Sequence, residues 1–332
     1  MPVNFDGSSV LVVGGTGSFG QVFVKTILER YSVNRLIVFS RDELKQYEMS
    51  NRIEFRGRPE MRYFIGDVRD ANRLNFAMRE VDYVIHAAAL KHVPAAEYNP
   101  SECILTNIIG AQNVIQAALS ADVKKVIALS TDKACNPINL YGATKLASDK
   151  LFAAANNLAG GRGTRFSVVR YGNVIGSRGS IIPYFKQLID EGAEALPITD
   201  PRMTRFWISL QQGVDFVIDM LGQMTGGEVF VPKIPSMNIV DLAHAVAPDM
   251  PHKIVGIRPG EKLHEIMISS DDSKNVLDCG SHYIIKPSFA FWDHVLQDPP
   301  GSQPVPEGFN YTSNGNTEWL DEDHIRNILS GS

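Results

Sequence analysis

Tyr141 and Lys145 lie four residues apart, one turn of a helix. On one helix face, a phenol beside an ammonium is a candidate proton acceptor, because a nearby cation favours the phenolate and lowers the tyrosine pKa towards working pH. The pair follows an apolar run, KVIALS, that leads directly into Thr131, Asp132 and Lys133. A polar strand end followed by such a helix has the layout of a proton-transfer site. The competing readings are an ordinary i,i+4 contact for the first pair and two solvated loop charges for Asp132 and Lys133. Cys135, beside them, reads as a small packing residue.

A second cluster, VLVVGGTGSFGQVF, sets Gly14, Gly17 and Gly20 between an apolar run and a helical stretch, with Thr16, Ser18 and Phe19 among them. Small residues there let backbone amides approach a pyrophosphate at a helix N-terminus, so this segment predicts a dinucleotide site and not a plain turn. An NAD site usually ends its second strand in an acidic residue for the ribose 2′-hydroxyl. Here RLIVFSRDELK ends in Ser40 and Arg41, with Asp42 next and Lys45 one turn on, which favours a 2′-phosphate and therefore NADP. Asp67 and Val68 suit the adenine, and Ala87, Ala88 and Ala89 offer small residues beside the cofactor. Their alternative is close packing.

These residues need a scaffold. Strand-like runs at 10–14, 35–40, 61–68, 82–88, 125–130 and 165–174 alternate with helical stretches near 18–30, 42–53, 70–79 and 139–156. That rhythm predicts an α/β fold, a Rossmann-like doubly wound parallel sheet. The reading places an NADP-binding domain at 1–175, with parts of 209–235 packing back on it. A smaller C-terminal substrate-binding domain takes 176–332, where Gly- and Pro-rich segments such as LPITDPRMTRFW and GIRPGEK suit pocket loops. Residues 287–318 read as a wrapped arm before a short helix from about Asp321.

With 32 basic and 37 acidic residues the chain carries a net charge of −5, which offers no footprint for nucleic acid. Three scattered cysteines, with no CxxC pair, fit a reducing compartment, and the first residues show no signal peptide, so the cytoplasm is expected. The uncharged run from Cys103 to Ala121 includes Thr106, Asn107, Gln112, Asn113 and Gln116, too polar for a membrane span, and reads as a buried helix. No metal-ligand spacing occurs, and GNVIGSRG lacks the Lys-Ser/Thr ending of a P-loop.

Together GGTGSFG, STDK, YGATK and RPGEK resemble the extended short-chain dehydrogenases/reductases that act on nucleotide sugars. More narrowly, LKHVPAAEYNP, STDKACNPINLYGATK, VVRYGNVIGSRGSIIP, ITDPRMTRFW and IRPGEKLHE resemble the soluble inverting UDP-N-acetylglucosamine 4,6-dehydratases that open pseudaminic acid biosynthesis, used to glycosylate flagellin. Epimerases of this kind carry a small residue pair after the Ser or Thr, and retaining glucose dehydratases an Asp-Glu pair, where this chain has Asp132 and Lys133. The resemblance implies C4 oxidation by NADP with Tyr141 as base, Lys145 supporting it and Thr131 near O4. Lys133 then takes the C5 proton, Asp132 protonates the departing C6 hydroxyl, and hydride returns to C6. Lysine can be that base only if desolvation or a neighbouring cation depresses its pKa. The resemblance further implies Lys91 and His92 beside the nicotinamide, Asn173 on the sugar nucleotide, Arg205 and Arg258 on its diphosphate, Glu261 on the uridine side, and homo-oligomers. A C4 or C5 epimerase and a non-catalytic NADP sensor are the rival readings.

Overall fold

In the computed structural model, which describes residues 3–160, 163–289 and 298–330, six apolar runs form strands. They are β1 (Ser9–Val13), β2 (Arg35–Ser40), β3 (Met61–Ile65), β4 (Tyr83–His86), β5 (Lys125–Thr131) and β6 (Arg165–Tyr171). They pair in parallel in the order β3-β2-β1-β4-β5-β6, the doubly wound arrangement expected. All five residues of β1 are buried, because helices cover both faces of a parallel sheet; this is why the run is continuously apolar. The order reverses between β1 and β4, and the crevice at their carboxyl ends is where such sheets bind ligands.

Beyond β6 the chain leaves the sheet and later returns. Val229–Pro232 adds in parallel to β6, followed outward by His282–Ile285, Val276–Asp278 and Gln303–Pro304, all antiparallel. The helix Leu210–Gln223 lies against the helix Ser18–Arg30, tied by Arg30 to Asp215 at 2.7 Å. Part of the expected arm is ordered as strand, since Tyr311–Thr312 also pairs with Ile266–Ile268. The arm's residues 290–297 lie outside the described residues.

A separate buried cluster, including Phe185, Leu196, Trp207, Met237 and Leu242, forms the core under the remaining loops. Its three-stranded sheet joins Ser236–Asn238, Thr204–Ile208 and Asn173–Val174. The uncharged stretch is one continuous helical run, Pro100–Ile104, a π turn at Leu105–Ile109 and Gly110–Ser120. It is long and apolar enough to cross a membrane, yet 56% of it is buried inside the fold.

Candidate active site

At the end of β1 the chain must turn under the sheet edge, and glycine alone allows it. Gly14 has φ +84°, and a Cβ there would stand 2.8 Å from the Ala88 amide nitrogen; one on Gly20 would stand 2.5 Å from the Gly15 Cα. Gly17 is the N-cap of Ser18–Arg30, with no side chain capping the first amides. Those free amides and the helix dipole make a ready anion site, so the residues present fit a dinucleotide pyrophosphate.

The cofactor-side residues then fall in order around this loop. Thr16 Oγ1 meets Ser40 Oγ at 2.8 Å, linking the glycine loop to the end of β2. Asp42 is the N-cap of the helix Glu43–Asn51 and pairs with Lys45 at 2.6 Å; hydrogen bonds from Lys45 hold its carboxyl below the usual range. Lys45 is thus matched by Asp42, while Arg41 stays exposed, 3.8 Å from Asp67. Asp67 is itself held by Arg69 at 2.8 Å, and Val68 is buried beneath. Ala87, Ala88 and Ala89 form the wall that Gly14 approaches.

Sequence reading missed three residues here. Asn107, in the π turn, is buried and bonds Leu90 through both backbone groups and Thr144 Oγ1 at 3.0 Å, fastening the alanine wall to the helix Leu140–Ala159. Its signal was a π turn, invisible as periodicity. Arg178 reaches across from the other half of the chain to the Thr16 carbonyl and donates its backbone N–H to Ser18 Oγ at 3.1 Å. Glu265 is the third.

On the opposite side of the crevice, Asn139 caps Leu140–Ala159 through the Gly142 amide and donates to the Gly260 carbonyl, clasping the RPGEK loop onto the tyrosine helix. Tyr141 is buried, and burial pushes its phenol up to about 12, against the pull of Lys133 and Thr131. The expected lowering by Lys145 is corrected: Lys145 donates to the Leu129 carbonyl at 2.7 Å, and the cation acting on the phenol is Lys133. Burial itself lowers the Lys145 ammonium, with Asp149 opposing.

Asp132 is fully buried in the short turn after β5. Its Oδ1 accepts from Thr131 Oγ1 at 2.9 Å and from Lys133 Nζ at 3.1 Å. Burial raises the carboxyl out of its usual range, which suits an acid that keeps its proton. Lys133 departs from expectation. Burial disfavours its charge, but Asp132 at 3.1 Å and Glu265 at 3.2 Å outweigh that and hold the ammonium above its ordinary value. The resting side chain is therefore a cation and not a free amine. Asn173 Oδ1 faces the same nitrogen at 3.5 Å.

Arg205 also differs from its implied role. It is buried, its Nη1 donating to the carbonyls of Thr204 and Leu263, its Nη2 to that of Lys262, with Glu265 3.7 Å from its Nε. That engaged fork braces the floor around Lys133 instead of facing a diphosphate. Glu261 is 3.7 Å from Arg205, whereas Arg258 is exposed at the loop tip. Lys91 and His92 stand exposed at the mouth, where desolvation and the like charges of Arg178 and Lys133 lower the Lys91 ammonium.

A glycine loop at the switch point shares the crevice with a Thr-Asp-Lys turn around buried Asp132 and with a Tyr-x-x-x-Lys helix. Residues 10–287 match the family model described as polysaccharide biosynthesis protein. The chain belongs to this family. Within the polysaccharide biosynthesis family it is 60% identical to a UDP-N-acetylglucosamine 4,6-dehydratase (inverting) of Campylobacter jejuni, covering 98% of both chains. It is 40% identical to a UDP-glucose 4-epimerase of Rickettsia akari, over 98% of this chain and 96% of that one. Among solved structures, Pen from Bacillus thuringiensis superimposes with a TM-score of 0.89 at 34% identity, covering 99% of this chain and all of that one. The kinship with nucleotide-sugar short-chain dehydrogenases/reductases read from the motifs is thus shown.

Proposed function

We propose that this protein is a C5-inverting UDP-N-acetylglucosamine 4,6-dehydratase, the first enzyme of a pseudaminic acid pathway, using NADP. The observation that carries the reading is the pair of buried Asp132 and half-buried Lys133 beside Tyr141. An epimerase has no need of an acid and an amine facing one substrate edge, whereas loss of water across C5 and C6 needs both. The 60% identity to an enzyme of that name supports the same reading.

When bound, the dinucleotide supplies the acceptor for the C4 hydride and its donor at C6. The chain's own residues handle protons. Tyr141 takes the C4 hydroxyl proton as the phenolate, a form that its burial opposes and that the Lys133 charge and the Thr131 hydrogen bond favour. Asp132, raised by burial, gives its proton to the departing C6 hydroxyl, and Lys133 removes the C5 proton acidified by the C4 ketone. Asn173, level with Lys133, orients the sugar. Lys91 and His92 stand beside the nicotinamide, Arg258 serves the diphosphate and Glu261 the uridine side, and Lys145 is positioned by the Leu129 carbonyl. The exposed guanidinium of Arg41 and the matching of Asp42 by Lys45 support NADP over NAD. Free Cys103, Cys135 and Cys279 support a cytoplasmic setting, and exposed Ile104, Leu105 and Ile109 support self-assembly.

An NMR time course in D₂O with UDP-N-acetylglucosamine tests this. A 4-keto-6-deoxy product lighter by one water and labelled at C5 is expected. A product of unchanged mass would instead favour the epimerase reading, to which the 40% identical relatives lend weight.

A further inference from the structure

Elimination across C5 and C6 sets a condition on two groups at once. The amine must be neutral to take the C5 proton while the carboxyl is protonated to release the hydroxyl as water. The resting geometry meets only half of this. Asp132 Oδ1 already accepts two hydrogen bonds, and its buried Oδ2 has no partner among the described residues, so Oδ2 is the oxygen open to an acid proton. Lys133 is an ammonium, and an Asp132 that must deliver a proton to the C6 hydroxyl cannot also take one from it.

The remaining carboxylate in contact with that ammonium is Glu265. It is 1% exposed, just before the strand Ile266–Ile268, with its Oε1 3.2 Å from Lys133 Nζ. Its backbone N–H donates to Ser313 Oγ, which fixes the residue in place. Its Oε2, like the Asp132 Oδ2, is buried without a partner among the described residues. Oε1, already 3.2 Å from the ammonium nitrogen, can receive its proton at little geometric cost.

We propose that Glu265 takes the proton of the Lys133 ammonium before elimination, leaving Lys133 a neutral amine for C5 and Asp132 its own proton for the C6 hydroxyl. The proposal rests on the dehydratase reading above. Glu265 acts through Lys133 and is a positioning residue that never touches the sugar.

The steps balance. An N–H bond of Lys133 breaks, its electron pair stays on Nζ, and an O–H bond forms on Glu265. Nζ then binds the C5 proton, the C5–H electrons become the C5–C6 double bond, the C6–O bond breaks, and the leaving oxygen takes the Asp132 proton as water. Reprotonation of C5 on the opposite face, as inversion requires, takes one proton from solvent; of the C5 proton kept by the Lys133–Glu265 pair and the C4 hydroxyl proton kept by Tyr141, one restores Asp132 and the other returns to solvent.

Other charges face this pair from every side: Asp132 in its own turn, Tyr141 from the tyrosine helix, Arg205 from Thr204–Ile208, Glu261 and Lys262 from the RPGEK loop, and Lys91 from the loop after β4. Burial opposes the Glu265 charge, but Lys133, Arg205 and Lys262 outweigh it and hold the carboxyl below its usual range, so the ion pair is the resting state and the transfer is an uphill, reversible step whose cost burial reduces.

Glu265→Gln tests it, since the amide can still accept from Lys133 but cannot hold its proton. In the native enzyme the transfer is internal, so solvent deuterium exchange at C5 stays flat across neutral pH. In E265Q the proton must go to water, and exchange should rise about tenfold per pH unit, from a neutral-pH rate lowered about a hundredfold or more. Transient reduction of NADP by the sugar should persist, and Glu265→Asp should restore the flat profile. A flat, native-rate profile in folded E265Q overturns the proposal. Should E265Q not fold, a native profile that itself climbs tenfold per unit through neutrality overturns it. Lys133→Ala separates the two ideas: native exchange in that variant sinks the dehydratase reading itself, whereas a dead K133A beside a native-like E265Q sinks only the role of Glu265.

Discussion

At the carboxyl end of β5, Lys133 keeps its proton although it is half-buried, because Asp132 Oδ1 and Glu265 Oε1 stand 3.1 and 3.2 Å from its nitrogen. A lysine in a dry pocket without them would lose its charge. Removing the side chain should therefore leave cofactor binding intact and abolish deuterium exchange at C5, as read by NMR on Lys133→Ala. Tyr141→Phe removes the proton acceptor for the C4 hydroxyl while filling the same buried space. Turnover should fall roughly 10²–10⁴-fold with the melting temperature unchanged. At the other end of the crevice, Arg41→Ala should weaken NADP far more than NAD in a paired titration; equal loss for both would return the cofactor assignment to NAD.

The elements explain how those side chains come to face one another. Gly142 follows Tyr141 because the helix Leu140–Ala159 presses against the catalytic turn, and a Cβ at that position would drive into the Lys133 carbonyl oxygen. Gly142→Ala should cost about 1–3 kcal/mol of stability and reduce turnover, while dinucleotide titration stays near native. The glycine loop and the tyrosine helix were legible in the sequence because their spacing is local: three glycines between a strand and a helix, two side chains one turn apart. The β/α rhythm up to residue 175 was legible for the same reason. Glu265 was not, since it meets Lys133 only after the chain has crossed into the second core and come back, and no periodicity records that. Arg205 misled in the opposite way. Its forked donors suit phosphate in general, but here carbonyls of Thr204, Lys262 and Leu263 occupy them. Antiparallel strands at the outer sheet edge likewise blurred the rhythm, because a hairpin needs no crossover helix.

Over the whole molecule, folding traps one titratable group in a state that water would not choose at mildly acid pH. His86 ends β4 fully buried against Phe152, with Nδ1 unpartnered among the described residues, and burial followed by the Lys145 charge pushes it down to about 3. The unfolded chain binds this proton near pH 6.5 and the folded chain does not. Stability is therefore whole above about pH 6.5 and declines as pH falls towards 3, by up to about 1.4 kcal/mol per unit from this group. Denaturant midpoints measured between pH 7 and pH 4 should fall accordingly, and His86→Gln should flatten the slope; an unchanged slope would assign the acid sensitivity elsewhere.

The broad sheet ends on one side in Gln303–Pro304, a two-residue rung laid over Val276–Asp278. Proline has no amide hydrogen to extend the ladder, so the arm works as a bookend: a neighbouring copy finds no row of donors to zip onto. Cutting the chain before it would bare Val276–Asp278 and invite sheets to grow across molecules into insoluble stacks.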